Sequence, residues 1–131
     1  MTTPYKIVTV LSLFLIIAGC MSTEALLRKR IEKYYADQNP RIMWELSSDD
    51  FRKRITEKEY VEDFEKHNYL KEFKDVVFSI EEVSIAGNEA RTIMRIRAKI
   101  MSGMTPIDEL LYDYWIFEHN NWYMKDPSRT E

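Results

Sequence analysis

Between residues 91 and 100 the chain alternates almost without exception. Thr92, Met94, Ile96, Ala98 and Ile100 fall on one side of an extended strand, and Arg91, Ile93, Arg95, Arg97 and Lys99 on the other. Side chains of a strand point to opposite faces with period two. This stretch therefore has one face for a core and one for water, as an antiparallel sheet allows. A helix would mix the arginines into its apolar stripe. A lone strand of this kind is not stable, so the chain must supply partner strands and a layer to cover the apolar face.

The partners lie on either side. Val76 to Ile85 reads as a strand, and the adjacent Glu81-Glu82 suggests a bulge that switches its inward parity. Gly87-Asn88 is a two-residue hairpin signal joining it to the central strand. After a longer loop at Ser102-Gly103-Met104-Thr105-Pro106, a third strand is expected from Ile107 to Glu118. Asn120-Asn121 is expected to turn it into a short last strand at Trp122-Tyr123-Met124-Lys125.

Before the sheet, the periodicity is helical. Leu27, Ile31, Tyr34 and Tyr35 recur as one stripe behind the Ser22 or Thr23 start signal. Asn39-Pro40 pairs a cap with a proline at the first helical position. Ser47-Ser48-Asp49-Asp50 opens the next short helix, and Thr56-Glu57-Lys58-Glu59 has the form of a capping box. The expected class is α+β: N-terminal helices packed on a curved antiparallel sheet of about four strands.

Charge narrows the partners. The chain has 22 acidic and 19 basic residues, for a net charge of −3, with the signs interleaved. Nucleic-acid binding needs a basic face, and no partner of that kind is expected. No glycine-rich phosphate loop is present, since there are only three glycines.

Residues 7–20 need a separate reading. A short start with one lysine, Lys6, leads into an apolar run that ends Ile17-Ala18-Gly19-Cys20. Positive start, apolar stretch of roughly 7–15 residues and small residues at the cut make up a secretory signal. The run is shorter than the ~20 apolar residues of a membrane-spanning helix. Residues 17–20 resemble a bacterial lipoprotein lipobox. That resemblance implies removal of residues 1–19, lipidation of Cys20 and a single domain over residues 20–131. It also implies a lipid-anchored place in the cell envelope. That place is the periplasmic face of the outer membrane in a diderm source, and otherwise the outer face of the plasma membrane. Cys20 is the sole cysteine, so no disulfide forms within the chain.

The order of elements, closing on Tyr114-Trp115-Ile116-Phe117, a short turn and Trp122-Tyr123, resembles the nuclear transport factor 2-like, or SnoaL-like, cone of the cystatin-like superfold. A cystatin-like sheet with one helix is the runner-up. The resemblance implies a pocket between the helices and the concave side of the sheet. It carries over no catalytic signature.

Candidate site residues follow from the chain itself. Asp113 shares strand parity with Leu111 and Trp115, where it would be a carboxyl among apolar groups and suited to acid–base work. The opposite parity, Leu110, Tyr112, Tyr114 and Ile116, is at least as apolar. If that face is the inner one, Asp113 lies outside across from Arg95 or Arg97, and this exposed pairing is the expectation. Tyr34, Tyr35, Trp44, Tyr60, Phe64, Tyr112, Tyr114, Trp115 and Trp122 are expected mainly as core, with the lining of an apolar ligand pocket as the other reading. Tyr34, Trp44, Tyr60, Tyr112, Tyr114 and Trp115 are the candidates for that lining. The two histidines, His67 and His119, fall at element ends in polar company. They do not make the three or four ligands of a zinc site, and neither a metal nor a cofactor is expected. The expected function is a non-catalytic envelope module that binds a partner protein; the alternative is a small-molecule-binding or enzymatic cone that uses the aromatic pocket.

Overall fold

The computed structural model describes residues 23–100 and 106–126. The first helix, α1, covers residues 23–35. It is followed by three more, α2 (Pro40–Glu45), α3 (Asp49–Arg54) and α4 (Glu57–His67), and a 3-10 turn at Tyr69–Glu72. The strands are β1 (Phe73–Ala86), β2 (Glu89–Ile100), β3 (Ile107–Glu118) and β4 (Asn121–Met124). They form one antiparallel sheet in the order β1-β2-β3-β4. The expected α+β arrangement is present. Residues 1–22, including Cys20, residues 101–105 and residues 127–131 lie outside the described ones.

Each short helix starts where its cap directs. Asn39 Oδ1 accepts the Arg41 N–H at 3.0 Å, with Pro40 at the first helical position. Ser48 Oγ accepts the Phe51 N–H at 3.3 Å. Thr56 Oγ1 accepts the Glu59 N–H at 3.2 Å and donates to the Glu59 carboxylate at 3.0 Å. Such caps contribute about 1 kcal/mol each, which matters for helices too short to persist alone.

The hairpin between β1 and β2 turns at Gly87, whose φ is +62°. Register shifts between Ile80 and Glu82 mark the bulge at Glu81, after which Val83 takes the inward position opposite Thr92. A second shift, between Lys74 and Val77, coincides with Asp75 at φ +53°. The last hairpin differs from expectation by one residue. Its centre is His119-Asn120, both at positive φ (51° and 59°), and Asn121 already pairs with Glu118. A two-residue turn that matches strand twist needs positive φ at both central positions. Asn and His tolerate that conformation better than most residues, which leaves Asn121 free to begin β4.

The core lies between α1 and the concave side of the sheet. Leu27, Ile31, Met94, Trp115, Trp122 and Met124 are all wholly or almost wholly buried there. The α1 stripe is closed against β4: Arg30 Nε donates to the Trp122 carbonyl at 2.8 Å, and Trp122 Nε1 donates to the Thr23 carbonyl at 3.2 Å. Trp115 Nε1 reaches Thr92 Oγ1 at 3.2 Å, which accounts for the one polar side chain on the inner face of β2. A connection runs back from β4 to the helices. Ser48 N–H donates to the Met124 carbonyl (2.8 Å) and Met124 N–H to the Leu46 carbonyl (2.7 Å). Outside, Arg95 pairs with Glu81 and Asp108, both at 2.6 Å. Solvated pairs of this kind add little stability.

Truncation of the two faces of the sheet should therefore differ sharply. Trp122→Ala is expected to lower unfolding free energy by about 3–5 kcal/mol. Tyr114→Ala, on the exposed side, is expected to cost less than about 1 kcal/mol. Urea unfolding followed by circular dichroism measures both.

Candidate functional site

Beneath α1 and α4 the sheet leaves a cavity of about 680 Å³. Its walls come from all four helices and from the sheet. Tyr34 and Tyr35 end α1, Met43 and Phe51 belong to α2 and α3, and Tyr60 and Phe64 project from α4. Phe78, Ile96, Leu111 and Asp113 rise from β1, β2 and β3. Exposed Glu59, Asp63 and His67 on α4 form part of its rim. The volume falls within the range of small-molecule sites, and the lining has their usual character of mostly apolar walls with a few convergent polar groups.

Asp113 faces inward. Strand period fixes this once Trp115, two residues on, is wholly buried. The β2–β3 register sets Asp113 opposite Thr92, and Arg95 and Arg97 pair instead with Leu110 and Asp108. The expected exposed pairing of Asp113 with an arginine is thus corrected. The partly buried carboxylate accepts a short hydrogen bond from the Tyr35 hydroxyl through Oδ2. Desolvation pushes its pKa up to about 6, and the Tyr35 hydrogen bond opposes that rise. Burial and the neighbouring Asp113 raise the Tyr35 phenol well above its ordinary range, so it stays protonated and donates.

The other polar groups in the lining are phenols and the amides of Gln38 and Asn68, apart from the charged rim. Tyr34 and Tyr60 hydroxyls are hydrogen-bonded to each other, and Tyr60 also points at Met43 Sδ, 3.9 Å away. The Tyr35 ring lies 4.7 Å from Phe78, and Tyr34 meets Tyr35 edge-on at 5.0 Å. Tyr60 stacks on Phe64 at 6.5 Å. A carboxyl that titrates near neutrality beside a fixed phenol can exchange a proton with a bound molecule or hold its donor group.

The sequence candidates divide among several places. Tyr34, Tyr60 and Asp113 line the cavity; Tyr112 borders it, but its strand parity is that of the outer face and it is 43% exposed. Trp115 is fully buried in the core and does not line it. Tyr114 is on the outer face, 49% exposed. Trp44 lies apart, its Nε1 donating to the Ile55 carbonyl at 2.9 Å. Tyr35, read from the sequence as either core or pocket lining, bonds the carboxylate. Phe78, whose ring packs on Tyr35, was not among the candidates.

A second group of ligand-type side chains occurs at the β3–β4 turn. Asp49, Glu118 and His119 offer ligand atoms within 4.8 Å of one another. Their own bonds account for them. Arg52 binds Asp49 Oδ1 at 2.6 Å, His119 Nε2 meets Asp49 Oδ2, and Glu118 accepts the Asp49 N–H at 2.9 Å. The group ties the turn to the start of α3. The Asp49 carboxylate beside it raises the His119 pKa.

The rise at Asp113 has a pH signature. A carboxyl with a raised folded-state pKa favours the folded protein while protonated, and that contribution is lost as pH climbs from about 4 through 6. Asp113→Asn is therefore expected to match the parent at about pH 3.5, below the ordinary carboxylate value. At pH 7.5 it should be more stable by on the order of 1–2 kcal/mol, allowing for water in the cavity. Urea midpoints at the two pH values check this, and His119 titrates equally in both proteins. Equal stabilities at pH 7.5 would contradict the desolvated carboxylate.

Comparison with known proteins supports the fold alone. No protein-family model matches the chain, and no curated protein matches it. A solved SEC-C motif containing protein from Rhodopseudomonas palustris is similar in fold, with a TM-score of 0.54 at 16% identity, covering 79% of this chain and 74% of that one. Another, from Psychrobacter arcticus, gives a TM-score of 0.48 at 17% identity, covering 82% of this chain and 60% of that one. Among the described residues no helix is long and apolar enough to cross a membrane. The resemblance to the nuclear transport factor 2-like cone is corrected: the solved structure that shares the fold is a SEC-C motif containing protein. The order of helices and strands on which it rested specifies a layer arrangement, which is not particular to one family. The lipobox resemblance likewise gains nothing from these comparisons, and residues 17–20 lie outside the described ones.

Proposed function

We propose that this domain is a small-molecule-binding module whose ligand occupies the cavity between the helices and the sheet. The observation that carries the reading is Asp113, a carboxyl set in the wall of a largely apolar cavity of about 680 Å³ and held by a single tyrosine. A purely structural domain gains nothing from this arrangement. An apolar residue at the same position would avoid the cost of desolvating a carboxylate, and a closed core would recover the dispersion contacts that a cavity forfeits.

This reading is preferred to the protein-partner module expected from the sequence because of where the large exposed apolar side chains fall. Val77, Leu110, Tyr112 and Tyr114 share the outer face of the sheet with Arg91, Arg95 and Arg97. Scattered exposed apolar residues among charges are normal on a monomer.

A neutral apolar fluorophore tests the reading. N-phenyl-naphthylamine is expected to bind the full chain saturably at one site, with enhanced emission. Leu111→Trp, which fills the cavity from β3, should weaken binding at least tenfold while the protein stays folded by circular dichroism. Undiminished binding to the Leu111→Trp protein would contradict the assignment.

A further inference from the structure

The charge census of the cavity is one-sided. Its lining includes three carboxylates, Glu59, Asp63 and Asp113, and neither a lysine nor an arginine. His67 also lines it, 3.1 Å from Asp63 at the rim and exposed. The inner carboxylate has the Tyr35 hydroxyl as its hydrogen-bond partner, and no ion pair to Asp113 is present among the described residues. Around it stand the faces and edges of Tyr34, Tyr35 and Phe78.

We propose that the ligand of this cavity is an organic cation, a protonated amine bearing an apolar tail. This rests on the binding reading above and specifies its chemistry. A carboxylate without a cationic neighbour is completed by an ammonium group, which donates to the oxygen that Tyr35 does not occupy. Electron-rich aromatic faces attract a cation as well, and phenols accept hydrogen bonds from it. The apolar walls from Met43, Ile55, Leu70 and Leu111 take the tail. The acidic rim at Glu59 and Asp63 raises the local concentration of cations and repels anions. An anionic ligand would bring its charge into an acidic, partly desolvated site with neither lysine nor arginine to meet it, and with His67 at the rim already beside Asp63. A metal ion is a poorer match, because Asp113 is the sole inner carboxylate in the lining and metal sites need several convergent ligands.

Three probes of one shape separate the alternatives: phenylpropylamine, phenylpropanol and phenylpropanoate, titrated into the full chain at pH 7.5 by calorimetry. The amine is expected to bind at least tenfold more tightly than the alcohol, and the alcohol more tightly than the carboxylate. In Asp113→Asn the amine should fall to within about twofold of the alcohol. Asp49→Asn removes a carboxylate outside the cavity and should leave the preference intact. If the alcohol or the carboxylate matches the amine, or if Asp49→Asn erases the preference as fully as Asp113→Asn does, the cation assignment is overturned. If N-phenyl-naphthylamine binds while the amine does not, the cation assignment falls and the cavity reading stands. If neither the fluorophore nor any probe binds, both are overturned.

Discussion

Strand alternation anchored at Trp115 governs the chemistry of this molecule. A side chain that large, with no accessible surface, cannot be turned to the outside without exposing more apolar area than any other change on β3 would. Its inward position obliges Asp113 and Leu111 to face inward too, because a strand cannot reverse parity without a bulge. No register shift interrupts β3 in its pairing with β2. The carboxyl is thus brought into the cavity by the packing of a tryptophan, which itself takes no part in lining the site.

The helices complete what the strand begins. Helix α1 delivers Tyr34 and Tyr35 from adjacent positions at its last turn, so that one phenol bonds Asp113 and the other bonds Tyr60 on α4. The two hydroxyl networks occupy the same cavity from different helices. Short capped helices suit this task. Each is fixed at its N-terminus by a capping side chain, at Asn39, Ser48 and Thr56, and they add Met43, Phe51, and Tyr60 with Phe64 to the wall. Between them they leave space that a single long helix laid across the sheet would have filled.

Much of the architecture was legible because each signal was local. The alternation of residues 91–100, the turn at Gly87-Asn88, the bulge at Glu81-Glu82 and the three caps depend on neighbours a few residues apart. The site was less legible. Both parities of β3 read as apolar, and the exposed one, with Leu110, Tyr112 and Tyr114, reads as the more hydrophobic. The burial of Trp115 and the register to β2, which sets Thr92 opposite Asp113, decide between them. That register depends on the connection between β2 and β3, whose length in sequence does not state how many residues pair. The bond from Tyr35 to Asp113 spans 78 positions, and nothing local announces it. The turn at His119-Asn120 was displaced by one residue because two asparagines in succession offer two equivalent turn positions, and cross-strand pairing chose the earlier.

The central claim is that the Asp113 carboxyl is desolvated inside the cavity and lacks a cationic partner. Carbon-13 NMR titration of the aspartate side-chain carboxyls, with Asp113 assigned by its loss in the Asp113→Asn protein, measures this directly. The account predicts a midpoint of about 6 for Asp113. A midpoint at or below the ordinary 3.8 of an aspartate would mean that the group is solvated or ion-paired, and would contradict the account.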